Sequence, residues 1–150
     1  MAQTTNAMSG RNCYIALSTG GTTFTDISGF ANSVEPDGGE RQTGSVHTAD
    51  TDTPIITAGK RDAITVKVKA VYTEVSTDPY TVVKTAYEAA SALWVRWAPK
   101  GNTSGNLGFT TASGIVKTAP YAGVSDVSNG EALMIEFDLE TPYITPAAIA

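Results

Sequence analysis

The sequence predicts a mainly β fold: a β-sandwich or barrel of about six to eight strands. One flanking α-helix is expected at about 79–91 and a long projecting loop or hairpin at about 36–62. Three observations carry this. Residues 130–142, GEALMIEFDLETP, place Leu133, Ile135, Phe137 and Leu139 on one parity and Met134, Glu136, Asp138 and Glu140 on the other, the mark of a half-buried strand. Residues 63–74 repeat the pattern, with Ile64, Val66, Val68, Ala70 and Tyr72 inward and Thr65, Lys67, Lys69, Val71 and Thr73 outward. Charged residues make up only 17% against 41% hydrophobic, so the surface relies on Thr, Ser, Gly and Asn, a β- and turn-rich composition.

Taken in order, residues 1–12 are small, polar and extended, an N-terminal arm. Cys13, Ile15 and Leu17 alternate with Tyr14, Ala16 and Ser18 as a first strand, ended by Thr19-Gly20-Gly21. Residues 31–35, ANSVE, form a short strand before the turn Pro36-Asp37-Gly38-Gly39. In 40–48, ERQTGSVHT, neither parity can line a core, so a strand here has water or another subunit on both faces. Residues 48–62, TADTDTPIITAGKRD, show little regular pattern, and a loop of that length in a compact domain is functional or disordered. Its apolar centre, Pro54-Ile55-Ile56, points to contact with a neighbour.

Asp78-Pro79 opens the helix, with the carboxylate placed to accept from a free first-turn amide and the proline losing no hydrogen bond. Thr81, Lys84, Thr85 and Glu88 share its polar side; Tyr80, Val83, Tyr87 and Ala90 share the other, widened by Val82, Ala86 and Ala89. Leu93, Val95 and Trp97 define a further strand, which places Trp97 in the core and leaves Trp94 open. Residues 106–121 hold a strand pair or one long bent strand, with Gly108 and Gly114 as bend points. The C-terminal arm, 141–150 (TPYITPAAIA), is apolar and proline-punctuated, and is expected to dock on its own domain or on the next subunit.

At 150 residues the chain is expected to be a single domain. Ten basic against 15 acidic residues give a formal net charge of −5, which disfavours binding to nucleic-acid phosphates. The single cysteine, Cys13, excludes an internal disulfide and a multi-cysteine metal site, and its apolar position marks a spectator thiol. No signal-peptide pattern or membrane-length apolar run occurs, so a soluble protein made in a cytoplasm and without membrane contact is expected.

Catalytic signals are thin. His47 is the one histidine, a surface residue with no nucleophile set around it, and no cofactor is implied. Glu136 and Asp138 share a strand face and imitate a paired-carboxylate site, the reading of a cryptic hydrolase, although a solvated or interface face is commoner. Asp50-Thr51-Asp52 matches part of a calcium loop but lacks the glycine and the closing glutamate. Trp94, Trp97 and the tyrosines offer a sugar platform, the alternative of a carbohydrate-binding β-sandwich. Against these stands the profile of a self-assembling block: an arm, a two-sided polar hairpin, an apolar tail and long strands with orderly polar outer faces, whose edges a closed ring would protect.

The layout resembles the major tail tube proteins of long-tailed bacteriophages. GEALMIEFDLETPYIT resembles that family's final strand and tail, the long loop TADTDTPIITAGKRD precedes the long strand AITVKVKAVYTE, and the single helix DPYTVVKTAYEAAS follows. The similarity of organisation spans roughly residues 13–145. The resemblance implies hexameric rings whose strands join into an inner β-barrel, stacked into a hollow tube through which DNA passes. It implies inter-ring contacts from Thr48, Asp50, Asp52, Pro54, Ile55, Ile56, Lys60 and Arg61. It suggests Glu136, Asp138 and Glu140 as a lumen lining whose like charge keeps DNA sliding. Lys67 and Lys69 oppose a uniformly negative bore unless they pair with carboxylates across the sheet. Implied partners are further copies of the chain and other tail proteins (tip or initiator, ruler, terminator), with the virion tail and the host cytoplasm as locations. Inner-tube proteins of contractile tails and of type VI secretion share this organisation and are the nearer alternative.

Overall fold

The computed structural model describes residues 2–124 and 127–150; Met1 of the arm and Ser125 and Asp126 of the segment before the last long strand lie outside the described residues. The chain runs β1 (Tyr14–Ser18), β2 (Thr25–Asp26), β3 (Ala31–Gly38), β4 (Arg41–Val46), β5 (Ile55–Arg61), β6 (Ile64–Val71), α1 (Pro79–Ala89), β7 (Trp94–Ala98), β8 (Leu107–Thr111), β9 (Ile115–Val116), β10 (Met134–Thr141) and β11 (Ile144–Ala148). A short 3-10 turn, Gly10–Asn12, precedes β1. The eleven strands among the described residues exceed the expected six to eight because several are two to five residues long, too short to show a period.

A five-stranded sheet has the order β11-β8-β7-β1-β2, a four-stranded sheet has β3-β6-β10-β9, and β4-β5 stand apart as a two-stranded hairpin. Every pairing is antiparallel. Ile15, Leu17 and Val95 from the first sheet meet Val66, Val68 and Phe137 from the second in one apolar cluster. This is a two-layer sandwich, and the alternation in β6 and β10 supplies its second layer.

The helix forms where expected but ends at Ala89, and its packing face is narrower: Pro79, Val83 and Ala86 are buried, whereas Ala89 and Ala90 are exposed. Asp78 does not cap it through its side chain; its Oδ2 accepts instead from the Thr73 hydroxyl, tying the helix start to the connection that follows β6. The C-terminus closes with Ala90 in the left-handed region (φ 51°), and Ser91 N–H donates to Ala86 O at 3.0 Å.

Two glycine positions explain departures from the expected layout. The sequence makes Pro36-Asp37-Gly38-Gly39 a turn, but β3 runs through Gly38, with Pro36 tolerated because β3 is an edge strand. Gly38 and Gly39 (φ 88° and 72°) form a kink between sheet and hairpin, and Gly39 N–H still bonds Ala63 O at 3.1 Å across it. The second position is Gly114, where the chain crosses from β8 in one sheet to β9 in the other. A Cβ there would sit 2.8 Å from Leu139 Cγ and 2.9 Å from Glu140 O. Residues 106–121 are therefore two strands in two sheets, not one bent strand.

The segment 48–62 is also more regular than its sequence suggests, since its second half is β5. The C-terminal arm docks on its own chain: β11 pairs with β8 from Ile144↔Thr111 to Ala148↔Leu107, and Ile149 N–H donates to Asn106 O at 2.8 Å.

Candidate assembly surfaces

The outer face of the four-stranded sheet follows from register. Opposite Lys69 stand Ser33 of β3 and Glu136 of β10; opposite Lys67 stand Glu35 and Asp138; opposite Thr65 stand Asp37 and Glu140. Residues opposite one another in an antiparallel ladder share a face, so two rows place a lysine in the middle strand and the third places Thr65 there. Lys67 Nζ lies 3.1 Å from Glu136 Oε1 and Lys69 Nζ lies 3.9 Å from Glu136 Oε2. The hydrogen bond to Glu136, then the charges of Glu136 and Asp138, push the Lys67 pKa up from its ordinary value. From the strand edge, Thr118 Oγ1 donates to Asp138 Oδ2 at 3.0 Å and Lys117 Nζ donates to Thr65 Oγ1 at 3.2 Å.

The expected carboxylates Glu136, Asp138 and Glu140 thus come together on one face, and the cross-sheet lysine pairing is present. The face also holds Glu35, Asp37 and Lys117, which the sequence reading passed over. Glu35 and Asp37 flank Pro36, and treating PDG as a turn hid their alternation. The surface is a mixed ladder with an acidic row nearest the hairpin, not an unbroken wall of carboxylates.

Both edges of this sheet are open. Among the described residues β3 has no partner on its outer side, and β9 pairs only with Leu139 and Glu140 of β10. Among the described residues, Met134–Phe137 therefore has a free edge as well.

The hairpin is exposed along its whole length, as two polar parities require. Val46 opposes Ile55 and Ser45 opposes Ile56, so apolar side chains stand on both faces near the tip, Ile56 being 69% exposed. Arg41 Nη1 donates to Gly59 O at 2.9 Å and Gln42 Nε2 to Asp62 Oδ2 at 2.9 Å, bracing the root. The structure splits the expected contact residues: Thr48, Asp50, Asp52 and Pro54 lie in the tip loop with Ile55 and Ile56 beside it, whereas Lys60 and Arg61 lie at the root.

The other candidates do not converge. His47 sits exposed beyond β4, and Cys13 is a half-buried free thiol. Trp97 is 8% exposed and stacks on Phe109 at 5.5 Å, while half-buried Trp94 lies against Gly21, so the two tryptophans make no shared platform. Glu136 engages two lysines, which ties β10 to β6 across the face. Among the described residues no three His, Cys, Asp or Glu side chains group as metal ligands, and no helix is long and apolar enough to cross a membrane.

The fold has solved counterparts. A chain from the tail of an empty gene transfer agent particle, refined with C6 symmetry, superposes with a TM-score of 0.66 at 11% identity over 96% of this chain and 100% of that one. A chain of the anti-feeding prophage baseplate, six-fold symmetrised, gives 0.66 at 9% identity over 99% of each. A chain of the sheath-tube complex of an extracellular contractile injection system, in its extended state, gives 0.65 at 9% identity over 97% of this chain and 94% of that one. At such identities the likeness is one of fold. Neither a protein-family model nor a curated protein sequence matches the chain.

Proposed function

We propose that this chain is a tail-tube subunit, a non-enzymatic structural protein whose whole length acts as one building block of a hollow tube. The observation that carries the reading is the four-stranded sheet with a long open edge on each side. Isolated, such edges court aggregation; a ring of copies pairing β3 of one with β9 and β10 of the next covers both, with Pro36 leaving one rung of the β3 edge without a donor. The likeness in fold to chains of six-fold phage-like assemblies supports a ring of six.

In that ring the Glu136, Asp138 and Glu140 face turns inward as the bore. Its five carboxylates against three lysines leave a net negative lining past which DNA slides without adhering. The hairpin, with Thr48, Asp50, Asp52, Pro54, Ile55, Ile56, Lys60 and Arg61, reaches the next ring. Partners are further copies and the tail proteins that start, measure and end the tube; the locations are the virion tail and, during assembly, the host cytoplasm. The inner tube of a contractile system is a second reading, favoured by the likeness to a sheath-tube complex chain. We keep a non-contractile tail as the first reading.

Negative-stain electron microscopy of the concentrated protein tests the reading. Hollow rods or stacked rings are expected. Discrete particles that persist even when a tail-tip initiator complex is added would overturn it.

A further inference from the structure

The turn that leads into β10 holds an electrophile and a nucleophile side by side. Of the six asparagines in the sequence, only Asn129 is followed by glycine. Asn129 and Gly130 are both exposed, and a Cβ built on Gly130 would meet nothing within 4 Å, so water reaches the pair freely. Gly130 sits at φ 68°, which glycine adopts without strain. Asn129 Oδ1 accepts from the Glu131 N–H at 3.1 Å, an Asx turn that folds the carboxamide forward over the Asn129–Gly130 peptide. The side-chain carbonyl carbon, Cγ, therefore lies on the side from which the Gly130 nitrogen approaches, and no side chain on Gly130 hinders it. The Glu131 N–H, already on Oδ1, draws charge off that carbonyl and stabilises the oxyanion that forms when Cγ is attacked.

We infer that Asn129 is a self-modification site, at which the Gly130 nitrogen displaces the side-chain amide and water then opens the ring to aspartate or isoaspartate. In the first step a solvent base removes the Gly130 amide proton and the N–Cγ bond forms. The Cγ–Nδ2 bond breaks, and Nδ2 leaves with a proton as ammonia. In the second step water adds to one of the two carbonyls of the resulting succinimide. Opening at Cγ gives aspartate; opening at the Asn129 backbone carbonyl gives isoaspartate, whose main chain runs through Cβ. One water is consumed and one ammonia released per chain, with no change of oxidation state.

The other asparagines lack the set. Asn6, Asn12, Asn32 and Asn102 precede Ala7, Cys13, Ser33 and Thr103, each of which puts a Cβ beside the attacking nitrogen. Asn106 precedes Leu107, and its side-chain N–H donates to Gly101 O at 3.1 Å. Asp37-Gly38 has the glycine, but an ionised carboxylate is a poor electrophile and both residues are held in the β3 ladder. At Asn129 the new carboxylate joins Glu131 in a stretch, 118–140, without lysine or arginine. The isoaspartate form lengthens the main chain by one atom just ahead of Leu133, whose carbonyl accepts from the Tyr72 N–H at 2.8 Å. The chain thus acquires a more acidic form with age and without an enzyme, whether or not it assembles.

The test stores the freshly purified full-length protein under native conditions at physiological temperature and follows it by peptide mass mapping. A gain of about one dalton, an amide exchanged for a carboxyl, is expected in the peptide containing 129–130 ahead of every other asparagine peptide. Isoaspartate at that position should be detected by an isoaspartyl methyltransferase, with one ammonia released per converted chain. Gly130→Ala should slow conversion by at least about tenfold, equivalent to about 1.4 kcal/mol on the barrier. Asn129→Gln leaves the glycine in place and should slow it at least as much, since its ring would need six members. An unchanged mass at 129 in the native protein would overturn the site, as would earlier conversion at another asparagine or wild-type conversion in Asn129→Gln. Native conversion slower than that of the same chain unfolded in guanidinium chloride would overturn the part given to the turn.

Discussion

Glu136 holds the charged face together. It takes Lys67 at 3.1 Å and Lys69 at 3.9 Å, and its effect is written in the raised pKa of Lys67. A lysine whose folded pKa is raised lends its stabilisation in full below the ordinary lysine value and loses it as pH rises through the raised one. Glu136→Gln removes the leading cause, so the Lys67 titration midpoint, followed by NMR at the side-chain carbon next to Nζ, should fall toward the ordinary value. An unmoved midpoint would mean that the other carboxylates dominate. A second residue argues from strain. Ala90 sits at φ 51°, where a Cβ costs about 1–2 kcal/mol. Ala90→Gly relieves that cost and gives back part of it through the freer unfolded chain, so a net gain of up to about 1 kcal/mol is expected, a rise of about 2–4 °C in Tm. Alternation alone made Phe137 and Leu139 legible as core and Glu136 as surface. It could not show that Asp78 would turn to Thr73 instead of capping the helix, because both partners were within reach in sequence.

Elements divide by whether their partners are local. β6 and β10 announced themselves because each packs one whole face on the core, which imposes a period of two. β4 and β5 bury neither face, so no hydrophobic period exists to be read; β4 was legible only as a strand with nothing to cover, and half of β5 merged into a loop. That exposure separates the hairpin from the stability of the body. Deleting 54–56 should leave circular dichroism and thermal unfolding of the body close to wild type while abolishing tubes. Truncating 146–150 is a different experiment, because Pro146, Ala147 and Ala148 are rungs on Phe109, Gly108 and Leu107. Ile144 remains in the core contact, so a folded body with a lower Tm is expected, again without tubes. Normal tubes from either deletion would remove that segment from the assembly contacts.

For the whole molecule the question is what satisfies the open sheet. The sequence reading reached a β-sandwich with one helix, yet sheet membership was invisible to it: the crossing at Gly114 and the kink at Gly38-Gly39 depend on which backbones approach, and no local pattern encodes that. The open edges follow from the same topology. β6 is paired on both sides in a single copy, by β3 and by β10, so its backbone amides are satisfied before assembly. The outward-facing amides of Val34 and of Met134–Phe137 have no ladder partner among the described residues of a single copy. Hydrogen exchange should separate the two classes. In the dispersed protein the β6 amides exchange slowly, while the outward-facing amides of Val34 and of alternate residues across 134–137 exchange fast; Pro36 has no amide to report. In the assembled protein both edge segments should slow by about two orders of magnitude or more, as expected of amides moved from open edges into a continuous ladder. Protection gained at the hairpin but not at these edges would mean that copies associate end to end without closing a barrel, and the bore would have to be built from another face.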